Sequence, residues 1–142
     1  MIHVPFKDPK KSAKHLEMRQ LVRAGTFYGV FKHVHDGGPH YRNDPQVLLW
    51  IDHPGAAFRW LLEAYLERNR RGANTKVAIT DLRRLLRDLD ETPPEWVKDK
   101  KIRRSHRRRL LMRDRAYYSK YWPDLKPSDR VIMPDGKKKY CL

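Results

Sequence analysis

Residues 12–34, SAKHLEMRQLVRAGTFYGVFKHV, carry the pattern from which the fold is read. Leu16, Leu21, Phe27, Val30, Phe31 and Val34 recur at spacings that bring them to one side of a helix, the side that seeks a core. Arg19 and Arg23 stand four residues apart, so a helix makes them neighbours, with Gln20 at their border and His15 one turn earlier. The segment therefore predicts a helix with a buried stripe and a basic, hydrogen-bonding edge. Ser12 is the expected N-cap. Gly25 is a point where the helix is expected to bend. The run Asp36-Gly37-Gly38-Pro39 should end it.

On either side the chain is punctuated by proline and glycine. Residues 1–11 read as an extended arm, because Pro5 and Pro9 resist helix. Asp44-Pro45 marks a helix start, and His53-Pro54-Gly55 should break or kink the apolar segment 46–71. Gly72 should close that segment, after Arg68, Arg70 and Arg71 in its last turn. A short helix capped by Thr80 carries Leu82, Leu85, Leu86 and Leu89 and ends at Thr92-Pro93-Pro94. Residues 95–101 read as loop and 102–120 as the last helix. No strand pair and no internal repeat are apparent. The expectation is an all-α fold: one compact domain over residues 1–122, of about four helices around one core, with an irregular basic tail at 123–142.

The 142 residues carry a net charge of +15 and a pI of about 10.2. The charge is uneven: residues 98–142 hold 16 Lys/Arg against 5 Asp/Glu, and residues 1–97 hold 16 against 12. A surplus of this size points to a polyanionic partner. Ten of the cations fall within residues 98–115, a density suited to neutralising phosphates. The aromatic group Tyr117, Tyr118, Tyr121 and Trp122 follows at once, as core or as a surface for bases. The single cysteine, Cys141, indicates no disulfide framework. No apolar run suits a membrane span or a signal peptide, so the expectation is a monomeric protein of the cytoplasm, or nucleoid-associated. His33, His35, His40 and His53 lack the spacing of a metal site, and neither metal nor cofactor is expected.

Several stretches together resemble the small phage-type pyrimidine-dimer DNA glycosylases with AP-lyase activity, the endonuclease V family of phage. They are Lys14-His15-Leu16 followed by Glu17-Met18-Arg19-Gln20-Leu21-Val22-Arg23, then Phe31-Lys32-His33-Val34 with Gly37 shortly after. His53, Phe58 and the central segment ending in Arg-Gly come next. Pro93-Pro94-Glu95-Trp96 and Arg109-Leu110-x-x-Arg113 with the aromatic group complete the set. The resemblance implies an all-α protein that contacts kinked double-stranded DNA and flips a base out. It also implies attack on the sugar by the α-amine of the N-terminal residue, Schiff-base formation and strand cleavage by β-elimination. An α-amine with a pKa of about 8 is partly neutral at physiological pH and so nucleophilic. The family's proton-transferring glutamate falls on Gln20, an amide that exchanges no proton near neutrality. The family's small second residue is here the bulky Ile2, so Met1 is expected to stay and supply the amine. Carried over, the resemblance assigns Met1 and Gln20 to the catalytic positions. It assigns His3, His15, Arg19, Arg23, Arg109, Arg113, Tyr117 and Tyr118 to the DNA contact. A non-catalytic DNA-binding or architectural protein on the same scaffold is the alternative, and a basic RNA-binding protein is the second.

Overall fold

The computed structural model describes residues 2–134 and the backbone of 138–140. It is all-α, with one short β-ribbon near the C-terminal end. The chain divides into two compact units. One comprises Met1–Ile2 and Asp8–Pro94, the other His3–Lys7 and Glu95–Leu142. The boundary expected at 122/123 therefore lies inside the second unit.

The first unit opens with α1 (Pro9–His15) and α2 (Met18–His35). Asp8, not Ser12, caps α1: its carboxylate accepts from the backbone N–H of Lys10 at 2.8 Å and of Lys11 at 3.3 Å. Pro9 then occupies the first helical position, where the missing N–H costs nothing. The predicted single helix is two, because Leu16 and Glu17 are both extended, a turn that buries Leu16. Gly25 does not interrupt α2. The helix ends as read, with Gly37 at φ +87° and the N–H groups of Gly37 and Gly38 donating to the carbonyls of Val34 and His33.

Helix α3 (Pro45–Leu48) is one turn capped by Asp44. Helix α4 (Pro54–Arg70) starts on its proline and closes on Gly72, which sits at φ +103°. The N–H groups of Gly72 and Ala73 donate to the carbonyls of Asn69 and Arg68. Helix α5 (Lys76–Leu86) begins one turn earlier than predicted. Thr80 lies inside it, its hydroxyl donating to the Lys76 carbonyl, a bond that satisfies the side chain without capping anything. The buried set is Leu21, Phe27 and Phe31 of α2, Phe58, Leu61 and Leu62 of α4, Leu82 of α5, and Val47 and Trp50. Phe31 meets Phe58 edge to face at 5.4 Å. Glu67, buried in α4, accepts from Arg70 at 2.6 Å and Arg71 at 3.2 Å, and Arg71 also donates to the Lys14 carbonyl, tying α1 to α4.

The second unit is built on α6 (Lys100–Arg113). A 3₁₀ turn (Glu95–Lys98) precedes it where loop was expected. Asp99 caps α6, so the helix starts two residues before the predicted 102. It also stops early. Asp114 turns extended and accepts from the N–H of Tyr117 at 3.0 Å, which starts α7 (Arg115–Tyr118) as a separate turn. The tail is not wholly irregular: β1 (Arg130–Ile132) pairs antiparallel with β2 (Lys138–Tyr140), Val131 opposite Lys139. Val131 is buried, and the Ser105 hydroxyl of α6 accepts from the Ile132 N–H at 3.0 Å. The lysine-rich composition hid this strand from a reading based on apolar alternation. Val4, Val97, Ile102, Leu110, Leu111 and Tyr118 complete the buried set of this unit.

Gly55 gives the fold a sharp test. A Cβ at this first-turn position of α4 would overlap the Asp90 carbonyl oxygen, which is backbone and has little room to yield. Alanine is the better helix former by about 1 kcal/mol. We expect Gly55→Ala nevertheless to destabilise the chain, by about 1–3 kcal/mol as overpacking does. A urea denaturation midpoint that stays level or rises would contradict this packing.

Candidate nucleic-acid interface

The residues singled out by the sequence fall in both units. On α2, Gln20, Leu21 and Ala24 turn inward, while Met18, Arg19, Val22 and Arg23 are exposed. This is the helical period expressed as burial: the pairs 18/22 and 19/23 share the outer face. Among the described residues, no ion pair holds Arg19 or Arg23, although Glu67 pairs with Arg70 and Arg71, and Glu63 with Arg59. Met18 and Val22 rise beside them as exposed apolar side chains, 38 % and 47 % accessible. His15 does not join this face through a shared helix. It belongs to α1, and its Nδ1 lies 2.8 Å from the Lys11 carbonyl.

Gln20 is 4 % accessible, and its amide Nε2 is buried without a hydrogen-bond partner. A buried donor left unmade costs about 1–3 kcal/mol, so it is a position to explain. Met1, the expected source of the amine, lies outside the described residues. So do Cys141 and the side chains of Lys137, Lys138, Lys139 and Tyr140.

In the second unit the expected contact residues are largely internal. Arg109 is 4 % accessible and stands 3.8 Å from the Asp129 carboxylate. Tyr118 is fully buried and stacks on Trp122 at 5.7 Å, so it serves as core and not as a surface for bases. His3 is buried edge to face against His106, ring centres 5.9 Å apart. Arg113 and Tyr117 are half-buried, with Lys120 Nζ 4.1 Å from the Tyr117 ring centre. These five residues cannot all present themselves to a partner as the resemblance implies. His3, Arg109 and Tyr118 are spent on the fold.

The same holds for much of α6. Arg103 donates to the Val97 carbonyl at 2.7 Å, Arg107 to Pro5 at 2.8 Å and Arg108 to Lys126 at 2.8 Å. Arg107 also lies over the Phe6 ring at 4.7 Å and the Trp122 ring at 5.7 Å. The arginine density of residues 98–115 is thus partly structural. One arrangement it creates was not read from the sequence. Lys100, Arg103, Arg104 and Arg107 line an open cleft of about 670 Å³, together with Tyr121, Trp122 and Asp124. Their i, i+3, i+4, i+7 spacing is the signal that would have found them.

The histidines at the end of α2 do not gather a metal. His33 and His40 stack at 5.7 Å, and His33 Nε2 accepts from the His40 backbone N–H at 3.3 Å. Among the described residues no group of three or more His, Cys, Asp or Glu side chains is arranged to hold a metal ion. No described helix is long and apolar enough to cross a membrane. Comparison with family models, curated proteins and solved structures gives no match for this chain.

The buried histidine pair makes the second unit acid-sensitive. The Val4 N–H donates to His106 Nδ1 at 3.1 Å, so that nitrogen carries no proton in the fold. Burial, with the charge of Arg109 beside it, pushes the His106 pKa down to about 3. Burial, with His106 and then Arg109 and Arg113 adding to it, holds His3 well below its usual value. The unfolded chain therefore binds more protons than the folded one below the ordinary histidine pKa. Stability present above pH 6.5 is lost as pH falls toward about 3. Each histidine contributes a slope of up to about 1.4 kcal/mol per pH unit. His106→Gln, whose amide oxygen can accept from Val4, should flatten the slope of unfolding free energy against pH in that window by about one proton. Equal slopes for the two proteins would refute the buried neutral imidazole.

Proposed function

We propose that this chain binds double-stranded DNA and docks on it with the outer face of α2. The observation that carries this reading is the pair Arg19 and Arg23. Both are exposed, they lie one turn apart, and no ion pair engages either among the described residues. Several other arginines, such as Arg59, Arg70, Arg71, Arg103 and Arg108, donate to carboxylates or backbone carbonyls, whereas the exposed guanidinium groups of Arg19 and Arg23 stand beside apolar side chains on one face and suit phosphate oxygens or a minor groove. Met18 and Val22 on the same face are apolar side chains of the kind that wedge against a base step. The net charge of +15 supplies the long-range attraction.

A second reading takes the resemblance further, to a pyrimidine-dimer DNA glycosylase/AP lyase whose glutamate position is occupied by Gln20. What favours it is the buried, unpartnered amide of Gln20 immediately behind Arg19. An amide there holds shape without moving a proton. Such a loss typically lowers the rate by about 10²–10⁴.

One experiment separates these readings. Binding to a short duplex carrying one abasic site is followed against salt, and borohydride is then added to trap any Schiff base. The duplex-binding reading predicts that Arg19→Ala/Arg23→Ala flattens the log K against log salt slope by about two, near 0.9 per phosphate contact. Undetectable binding, an unchanged slope, or preference for A-form RNA would overturn it. Trapping by the Gln20→Glu variant, with or without trapping by the native chain, supports the lyase reading. Binding without trapping in either protein leaves DNA binding alone.

A further inference from the structure

The cleft on α6 is a separate feature from the α2 face and stands without the duplex-binding reading. Its cationic wall comes from one face of one helix. Lys100 and Arg104 are exposed, Arg107 is partly buried and Arg103 is 8 % accessible. Among the described residues none of the four pairs with a carboxylate. Arg103 and Arg107 each give a hydrogen bond to a backbone carbonyl, which satisfies an N–H and cancels no charge. The two guanidinium groups lie one turn apart, and burial together with the charge of Arg103 pushes the Arg107 pKa down. The fold therefore holds like charges together at a concave surface, where an anion would relieve the repulsion.

The rest of the lining says which anion. It includes two aromatic side chains, Tyr121 and Trp122, with Tyr121 37 % accessible. Trp122 is held by stacking on Tyr118 and contact with Phe6. A simple phosphate has no use for an aromatic wall. A nucleotide does, because its base stacks while its phosphate meets the cations. A volume of about 670 Å³ suits one such unit and its neighbouring phosphate, in the range of small-ligand sites. A double helix is convex and keeps its base faces covered. A single strand offers both an unpaired base and a thin backbone. Asp124, the one carboxylate in the lining, disfavours crowding several charges at one point as a free polyphosphate would. We propose that this cleft binds a segment of single-stranded nucleic acid, with its phosphates on Lys100, Arg103, Arg104 and Arg107 and one base against Tyr121.

The test uses the full chain and a labelled short oligothymidylate followed by fluorescence anisotropy across a salt series. Lys100→Ala/Arg104→Ala removes two exposed cations that no ion pair engages among the described residues, and Tyr121→Ala removes the aromatic surface. Thermal unfolding midpoints within a few degrees of the native chain show that each variant is folded. The double variant should lower the salt slope by about 1.4, near 0.7 per single-strand phosphate. Tyr121→Ala should weaken binding about tenfold. Thymidine monophosphate and inorganic phosphate, as competitors, should displace the oligonucleotide only at far higher concentration. The proposal is overturned if both variants bind like the native chain. It is also overturned if inorganic phosphate competes as well as thymidine monophosphate, or if polyglutamate binds as tightly as the oligonucleotide. Arg19→Ala/Arg23→Ala should leave oligonucleotide binding intact, so loss of duplex binding in that variant does not bear on the cleft.

Discussion

The second unit depends on arginines of α6 donating to backbone carbonyls outside the helix. Arg107 reaches Pro5, Arg108 reaches Lys126 and Arg103 reaches Val97. These bonds fasten an N-terminal segment, a tail and a 3₁₀ turn to one helix. His106 completes the fastening by accepting from Val4. A guanidinium suits this work because its planar fork can hydrogen-bond a carbonyl and still lie flat on a ring, as Arg107 does over Phe6. It also stays charged. Among the described residues, no ion pair engages Arg103, Arg107 or Arg108.

That constraint divides the cations into two populations. Arg70 and Arg71 serve Glu67, Arg59 serves Glu91, and Arg109 lies against Asp129. Arg19 and Arg23 on α2, and Lys100 and Arg104 on α6, face outward. The charge surplus that marks the sequence is therefore not one basic surface. Part of it is internal fastening. Another part lies on a helix face with apolar neighbours and at a concave cleft with aromatic ones.

How much of this was legible follows from which interactions are local. Prolines and glycines act through their own backbone, so a break near Pro54 and the ends at Gly37 and Gly72 were readable, although the segment read as one helix from 46 to 71 is two, α3 and α4. The inward Leu21, Phe27 and Phe31 and the outward Arg19 and Arg23 of α2 were readable from period, but Gln20, read at the polar edge, is buried. The break at Leu16 and Glu17 was not, since neither residue is a breaker and the turn is imposed by packing. Caps also misled, with Asp8 displacing Ser12 and α5 starting at Lys76 without a side-chain cap, ahead of Thr80. An arginine bonded to a carbonyl 102 residues away looks in sequence like one ready for phosphate. The resemblance placed Arg109, His3 and Tyr118 at a DNA contact, and they are buried. The same ambiguity obscured the cleft, which exists only once the helix is drawn and Trp122 is brought beside it.

The most direct test of the account is an NMR titration of the isotopically labelled chain with a short DNA duplex. The account predicts the largest shifts at Met18, Arg19, Val22 and Arg23, with little change around α5 and at buried Arg109. Shifts absent from α2 and centred instead on other surfaces, or no shifts at all, would contradict it.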